Sequence, residues 1–455
     1  MKEIFGTDGI RGEANREPMD AGTIMKVGQA VTVFFRKNTH HARIIVGKDT
    51  RLSGYMVEGA LEAGITSMGG DVFMVGVLPT PAIAFLTADM RADAGVMISA
   101  SHNPFHDNGI KLFSSDGKKL SDKDEIKIEK LILNDSLAGM LPKEKDLGRA
   151  FRIGDAMGRY IVFLKQAFPK ELSMEGLKVV MDLSNGATYR VAPRIFSELG
   201  AEVEAIHAQP DGININEHCG SQYPEDLAAR VKETGAAVGL AFDGDGDRLI
   251  AVDEKGSVLR GDHVMVICAE TMKQDGKLKN NILVSTVMSN LGVDIACDRL
   301  GIKHVVTQVG DRYVLEEMLR IGAVLGGEDS GHTIFLDHLP TGDGILTALK
   351  LIEAMLKRNK PLSELSRVVD IFPQELINIT VKAKPDLDSL PGVKMAIDEI
   401  QARLGKLGRV LVRYSGTQPM CRVMVEGPEQ ETTRRYCEQI ADAIRNTIGQ
   451  DDTNA

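Results

Sequence analysis

The chain is short of cysteine, proline and long apolar runs. Its five cysteines (Cys219, Cys268, Cys297, Cys421 and Cys437) are odd in number, scattered and without any CxxC pair. That argues against a disulfide framework or a zinc ribbon and favours a reducing compartment. No stretch approaches the ~18 apolar residues of a membrane span. The opening MKEIFGTDGIRGE puts charges and glycines where a signal peptide needs an apolar core, so a cytoplasmic protein is expected. Basic residues are outnumbered, 54 against 64 acidic, for a formal charge of −10. Neither nucleic acid nor an anionic membrane is therefore an expected partner, and an anionic substrate needs a locally basic cleft. With 16 prolines against 46 glycines, 43% hydrophobic and 26% charged residues, disordered and collagen-like classes are excluded.

What is present is material for about three or four domains, at roughly 100–200 residues each. A pattern recurs three times. The β-branched runs at 43–47, 178–182 and 281–285 are each followed by a turn, a helical stretch (about 189–199 in the second) and another strand, at 71–75, 201–206 and 302–306. A further strand (94–98, 237–242, 323–325) then ends in a polar cluster: Ser99-Ala100-Ser101-His102-Asn103-Pro104, Asp243-Gly244-Asp245-Gly246-Asp247-Arg248, and Gly326-Gly327-Glu328-Asp329-Ser330-Gly331-His332. Such strand ends are where open α/β sheets place ligand groups. The tail differs: alternating apolar residues from Leu376 to Val381, a helix near 393–404, strands at 409–413 and 422–426 and a closing helix at about 429–447 predict an antiparallel α+β domain. The fold class is α/β: three similar domains with mixed, mostly parallel sheets (1–153, 154–254, 255–367) plus a C-terminal α+β domain (368–455), arranged around a central cleft.

Asp243, Asp245 and Asp247 alternate with glycines, so a tight turn can aim three hard oxygens at one divalent cation of the Mg2+ type. An EF-hand is disfavoured because Arg248 stands where glycine is needed. Ser101 is not in a GxSxG elbow; as a phosphoryl carrier it would give the metal a fourth oxygen ligand, between Arg248 and Lys111, while as a plain Asx-type turn it would only bond backbone. Glu328, Ser330 and His332 offer groups that hold sugar hydroxyls and move a proton. Arg413-Tyr414-Ser415-Gly416-Thr417-Gln418-Pro419, with Arg422, suits a phosphate dianion. A phosphatase using Asp243 as nucleophile and a metal-dependent sugar-phosphate sensor are the rival readings.

Through these four loops the chain resembles the α-D-phosphohexomutase superfamily over essentially its whole length. The stretches Phe5-Gly6-Thr7-Asp8-Gly9-Ile10-Arg11-Gly12, Asp211-Gly212-Ile213-Asn214-Ile215-Asn216 with Cys219-Gly220-Ser221, and Val309-Gly310-Asp311-Arg312-Tyr313 favour its hexosamine-phosphate branch, with phosphomannomutase/phosphoglucomutase relatives as the alternative. The resemblance implies an isomerase that interconverts glucosamine 6-phosphate and glucosamine 1-phosphate, for UDP-N-acetylglucosamine and cell-wall precursors. It further implies a phosphoserine at Ser101 and one Mg2+ per chain, held by that phosphate with Asp243, Asp245 and Asp247. Arg11, Lys111, Arg248 and His332 would line the reacting centre, and Glu328, Ser330 and Gly310 would bind the sugar. Arg413, Ser415, Gly416, Thr417 and Arg422 would hold the phosphate that is not reacting. Glucosamine or glucose 1,6-bisphosphate is implied as activator and a phosphoryl donor or kinase as partner; the oligomeric state stays open, a homodimer included. Two residues depart from the branch, Asp329 where Gln is usual and Gln418 where Glu is usual.

Overall fold

The computed structural model describes residues 3–6, 8–36, 41–134, 136–415 and 419–450. It divides the chain into two compact units, one of Met1–Met288 with Ile302–Val368 and the other of Ser289–Gly301 with Val369–Ala455.

The first unit holds three sheets. The first contains β1 (Ile10–Glu13), β2 (Arg43–Lys48), β3 (Asp71–Val77), β4 (Ala94–Ile98), β5 (Asp107–Ser114) and β6 (Ala150–Arg152). The second contains β7 (Lys178–Asp182), β8 (Glu202–Ile206), β9 (Val238–Phe242), β10 (Leu249–Asp253) and β11 (Val258–Leu259), and the third β12 (Ile282–Thr286), β13 (Lys303–Thr307), β14 (Leu325–Gly327) and β15 (Thr333–Phe335). One order recurs in all three: β3-β2-β4-β5, β8-β7-β9-β10 and β13-β12-β14-β15. The first three strands of each set are parallel, and the fourth returns antiparallel to the third. The central runs Ile44-Ile45-Val46, Val179-Val180 and Leu283-Val284 are buried, as in sheets covered on both faces. The polar clusters therefore lie in the turns between the third and fourth strands. The antiparallel return strands are the part of the repeat the sequence pattern does not reveal.

The helix expected near 189–199 spans Val191–Glu198. The helix Gly344–Arg358 is capped by Asp343, which accepts from the amides of Ile345 (3.0 Å) and Leu346 (2.9 Å). Its first residue abuts the aspartate loop, with the Gly344 amide donating to Gly246 O at 3.0 Å.

In the second unit, β16 (Gln374–Thr380), β17 (Arg409–Tyr414) and β18 (Met420–Glu426) form an antiparallel sheet of order β16-β18-β17. The helices Pro391–Leu404 and Gln430–Ile448 pack on it around Val393, Ile400, Val423, Val425, Ile440 and Ile444. The helix Leu291–Leu300 belongs to this unit: Glu426 accepts from the Leu291 amide at 3.1 Å and from Arg409 Nε at 3.1 Å. Among the described residues no helix is long and apolar enough to cross a membrane.

Candidate functional site

The turn after β4 carries Ser101 in the left-handed region, with φ of +53° and 1% exposure. A side chain at such a φ is uncommon and is held by its surroundings. Here the Ser101 amide donates to Ser99 Oγ at 2.9 Å, and the Ser101 hydroxyl donates to Asp243 Oδ2 at 2.7 Å. The turn after β4 and the turn after β9 thus meet at their functional side chains.

The aspartate loop is shaped by Gly246 at φ +70°, which lets the chain reverse so that its amide reaches Asp243 O at 3.0 Å. Asp243, Asp245 and Asp247 present oxygens that all lie within 4.8 Å of one another, and all three residues are buried. Three carboxylates at that spacing repel strongly out of water. Their countercharge is the buried Lys111 ammonium, 2.8 Å from Asp245 Oδ2 and 3.3 Å from Asp247 Oδ2. Burial opposes the Lys111 charge, but Asp245, Asp247 and Asp8 hold its pKa well above the ordinary value. Burial together with Asp247 and Asp245 pushes Asp243 well above the carboxylate range. For Asp247 burial works the same way, yet Lys111, His332 and Arg248 outweigh it and hold the carboxyl low. Among the described residues Asp245 Oδ1 and Asp247 Oδ1 are buried with no hydrogen-bond partner. A compact set of hard oxygens, two of them unsatisfied, fits a divalent cation such as Mg2+.

Of the other expected residues of the first unit, Arg248 and His332 lie beside this cluster. Arg248 lies with Nε 3.9 Å from Asp247 Oδ1, and its amide donates to Asp243 Oδ1 at 3.2 Å. The Arg248 backbone pairs with that of His332 in an isolated antiparallel β-bridge; His332 is 3% exposed and has Nε2 3.4 Å from Asp311 Oδ2. Glu328 accepts from the Gly310 amide at 3.1 Å, and burial raises its pKa. Ser330 is exposed, and Asp329 Oδ2 lies 3.7 Å from Arg260. Arg11 donates to Asp8 Oδ2 at 2.6 Å.

In the second unit Arg413 and Arg422 are register partners across β17 and β18. Like charges directly opposite are destabilising, and burial together with Arg422 lowers the Arg413 pKa. Ser415 is buried, its amide donating to Met420 O at 2.8 Å. Gly416, Thr417 and Gln418 lie outside the described residues.

Several residues of the first-unit cluster escaped the pattern reading. Lys119 bridges Asp8 (2.5 Å) and Asp311 (2.6 Å), tying the segment before β1 to the start of the helix Asp311–Ile321. Thr80 donates to Asp245 Oδ2 at 2.5 Å. Asp8 and Asp311 stand in stretches already singled out; Lys119 and Thr80 stand in no motif, and only the tertiary fold reveals them.

Models of the phosphoglucomutase/phosphomannomutase family match in order: alpha/beta/alpha domain I over residues 2–138, domain II over 158–256, domain III over 260–372 and the C-terminal domain over 376–443. The phosphoglucosamine mutase of Syntrophobacter fumaroxidans is 63% identical over 449 residues, 99% of this chain and 100% of that one. That of Syntrophus aciditrophicus is 59% identical with the same coverage. Among solved structures, a phosphoglucomutase/phosphomannomutase family protein from Burkholderia thailandensis has a TM-score of 0.80 at 23% identity, over 98% of this chain and 99% of that one. The Aspergillus fumigatus N-acetylphosphoglucosamine mutase, solved with GlcNAc-6P and magnesium, has a TM-score of 0.68 at 17% identity, over 98% and 96%. These two share the fold. Four family domains in order and full-length identities of 59–63% to phosphoglucosamine mutases show that the chain belongs to the phosphoglucomutase/phosphomannomutase family, in its phosphoglucosamine mutase branch.

Proposed function

We propose that the chain interconverts glucosamine 6-phosphate and glucosamine 1-phosphate through a phosphoserine at Ser101 and a sugar 1,6-bisphosphate. The observation that carries this reading is the 2.7 Å hydrogen bond from Ser101 Oγ to Asp243, on a buried three-carboxylate cluster. Asp243, Asp245 and Asp247, with the phosphate on Ser101, would hold Mg2+, which when bound neutralises charge on the phosphoryl oxygens.

Phosphoserine gives its phosphoryl group to the free hydroxyl of the sugar phosphate: the Ser101 Oγ–P bond breaks, a sugar O–P bond forms, and the proton lost by the sugar hydroxyl is made good on Ser101 Oγ, which ends as a hydroxyl. The bisphosphate turns around, and Ser101 Oγ takes back the other phosphoryl group, so that enzyme and net phosphate are restored. Lys111 and Arg248 stabilise the negative charge of the transferring group, which is the principal demand of phosphoryl transfer. His332, beside Asp311, is placed to move the hydroxyl proton, and Arg11 lines the same centre. Glu328, Ser330 and Gly310 orient the sugar, while Arg413, Ser415 and Arg422, with Gly416 and Thr417, take the phosphate that is not reacting.

A glucosamine or glucose 1,6-bisphosphate would keep Ser101 charged, and a separate phosphoryl donor would load it first. A phosphatase using Asp243 as nucleophile leaves the Ser101 hydroxyl, seated on Asp243 Oδ2 at 2.7 Å, without a role. Steady-state rates on glucosamine, glucose and mannose phosphates test the substrate assignment. A kcat/KM highest for glucosamine 6-phosphate is expected, and a preference for mannose or glucose phosphates would move the chain to the sister branch.

A further inference from the structure

We propose that Asn216 is a positioning residue for phosphoryl transfer, setting the Ser101 loop of the first sheet domain in register with the aspartate loop of the second; this rests on Ser101 being the carrier. Asn216 closes the Asp211-to-Asn216 stretch, which the site described above does not otherwise use. Its side-chain amide donates to two carbonyls of the carrier loop, Ser101 O and Asn103 O, each at 2.9 Å. Arg51 donates to the same two carbonyls from the carrier's own domain, and it pairs with Asp49, which accepts from Ser99 Oγ at 2.6 Å. Arg51 therefore shapes the loop, whereas Asn216 reaches it from the other domain.

Asn216 is itself fixed: it is 9% exposed, at φ +58°, with its amide donating to Ser184 O at 2.9 Å. The aspartate loop seats against the same atoms. A Cβ on Gly244 would stand 2.7 Å from Asn216 Nδ2 and 2.7 Å from Ser101 O, so glycine is what lets the aspartate loop approach both the Asn216 side chain and the Ser101 carbonyl. The two domains remain joined nearby without this amide, through Leu52 N to Gly212 O (2.8 Å) and Thr50 Oγ1 to Asn185 O (2.6 Å). Loss of the Asn216 donor should thus loosen the aim of Ser101 Oγ at Asp243 and leave the domains docked.

Asn216→Ala removes the amide, and Asn216→Asp keeps its shape while replacing the donor. Each should lower kcat by about ten- to a hundred-fold, the scale of an ångström-level misplacement of a reacting group, with KM for the sugar phosphate little changed. Thermal midpoints should stay within a few degrees of the parent, and the phosphoserine 31P resonance should shift. Unchanged kcat in either folded variant, or a kcat loss that merely tracks a lowered midpoint with the 31P resonance unmoved, would overturn the proposal. Absence of phosphate from Ser101 in the parent enzyme would instead overturn the carrier assignment beneath it.

Discussion

Ser101 Oγ donates to Asp243 Oδ2 at 2.7 Å, although 142 residues separate them and each sits in the turn after the third strand of its own sheet repeat. A hydroxyl so placed, once phosphorylated, sets its phosphate directly on the carboxylate cluster.

The three carboxylates of that cluster could hold a cation, so Asp245→Asn, which would remove one of three anionic ligands, should weaken Mg2+ binding by about ten- to a hundred-fold. Calorimetric titration with Mg2+ measures this. An unchanged titration would remove Asp245 from the ligand set.

Lys111 supplies the resident positive charge between Asp245 and Asp247. In Lys111→Met the buried carboxylates lose that partner, at a cost of about 3–5 kcal/mol for breaking a buried pair. Without metal the variant should melt below the parent, and Mg2+ should raise its midpoint by more than it raises the parent's. Equal Mg2+-induced shifts in both proteins would mean that Lys111 and the metal do not share these ligands. Turnover should fall as well, because in the proposed cycle the lysine stabilises the transferring group.

Asp343 caps the helix that abuts the aspartate loop, accepts from Tyr160 OH at 2.7 Å, and is pushed up to about 6 by burial. A carboxyl raised in the folded state binds more protons there than in the unfolded chain. Its contribution to stability is therefore complete below about pH 4 and is lost as pH rises through about 6, on the order of 3 kcal/mol. Asn at this position keeps a capping oxygen and does not titrate. Denaturant midpoints of Asp343→Asn minus the parent should move in favour of the variant between pH 4 and pH 7. A difference constant with pH would contradict this account.

Arg413 and Arg422 oppose one another across β17 and β18. Arg422→Ala should lower kcat/KM by roughly one to three orders of magnitude, as expected when remote binding energy used for orientation is removed. It should leave Mg2+ binding and the phosphate on Ser101 intact, and the loss of a like-charge contact should not lower the melting temperature. Loss of the covalent phosphate with normal sugar-phosphate binding would refute the assigned role.

The repeat was legible in the sequence because Ile44-Ile45-Val46 and Val179-Val180 mark strands buried on both faces, and because a glycine (Gly70, Gly200, Gly301) follows the first helix of each repeat. The return strands β5, β10 and β15 were not, since the turns that precede them are polar loops in place of ordinary hairpin turns. Ser101 and the three aspartates could be read from local pattern, as each cluster follows a strand directly. Lys119 and Asn216 could not: Lys119 meets Asp311 across 192 residues, and the two carbonyls held by Asn216 lie more than a hundred residues away. Such contacts are set by how the sheets dock, which no local spacing encodes.

In the proposed cycle Ser101 carries the phosphoryl group. Intact and peptide mass measurement of the enzyme after exposure to glucose 1,6-bisphosphate, run beside turnover of glucosamine 6-phosphate, tests it most directly. The parent should gain about 80 Da, one phosphoryl group, on the Ser101 peptide, while Ser101→Ala gains none and turns over no substrate. A Ser101→Ala enzyme that still isomerises glucosamine 6-phosphate, or a phosphate that maps to another residue, would contradict the account.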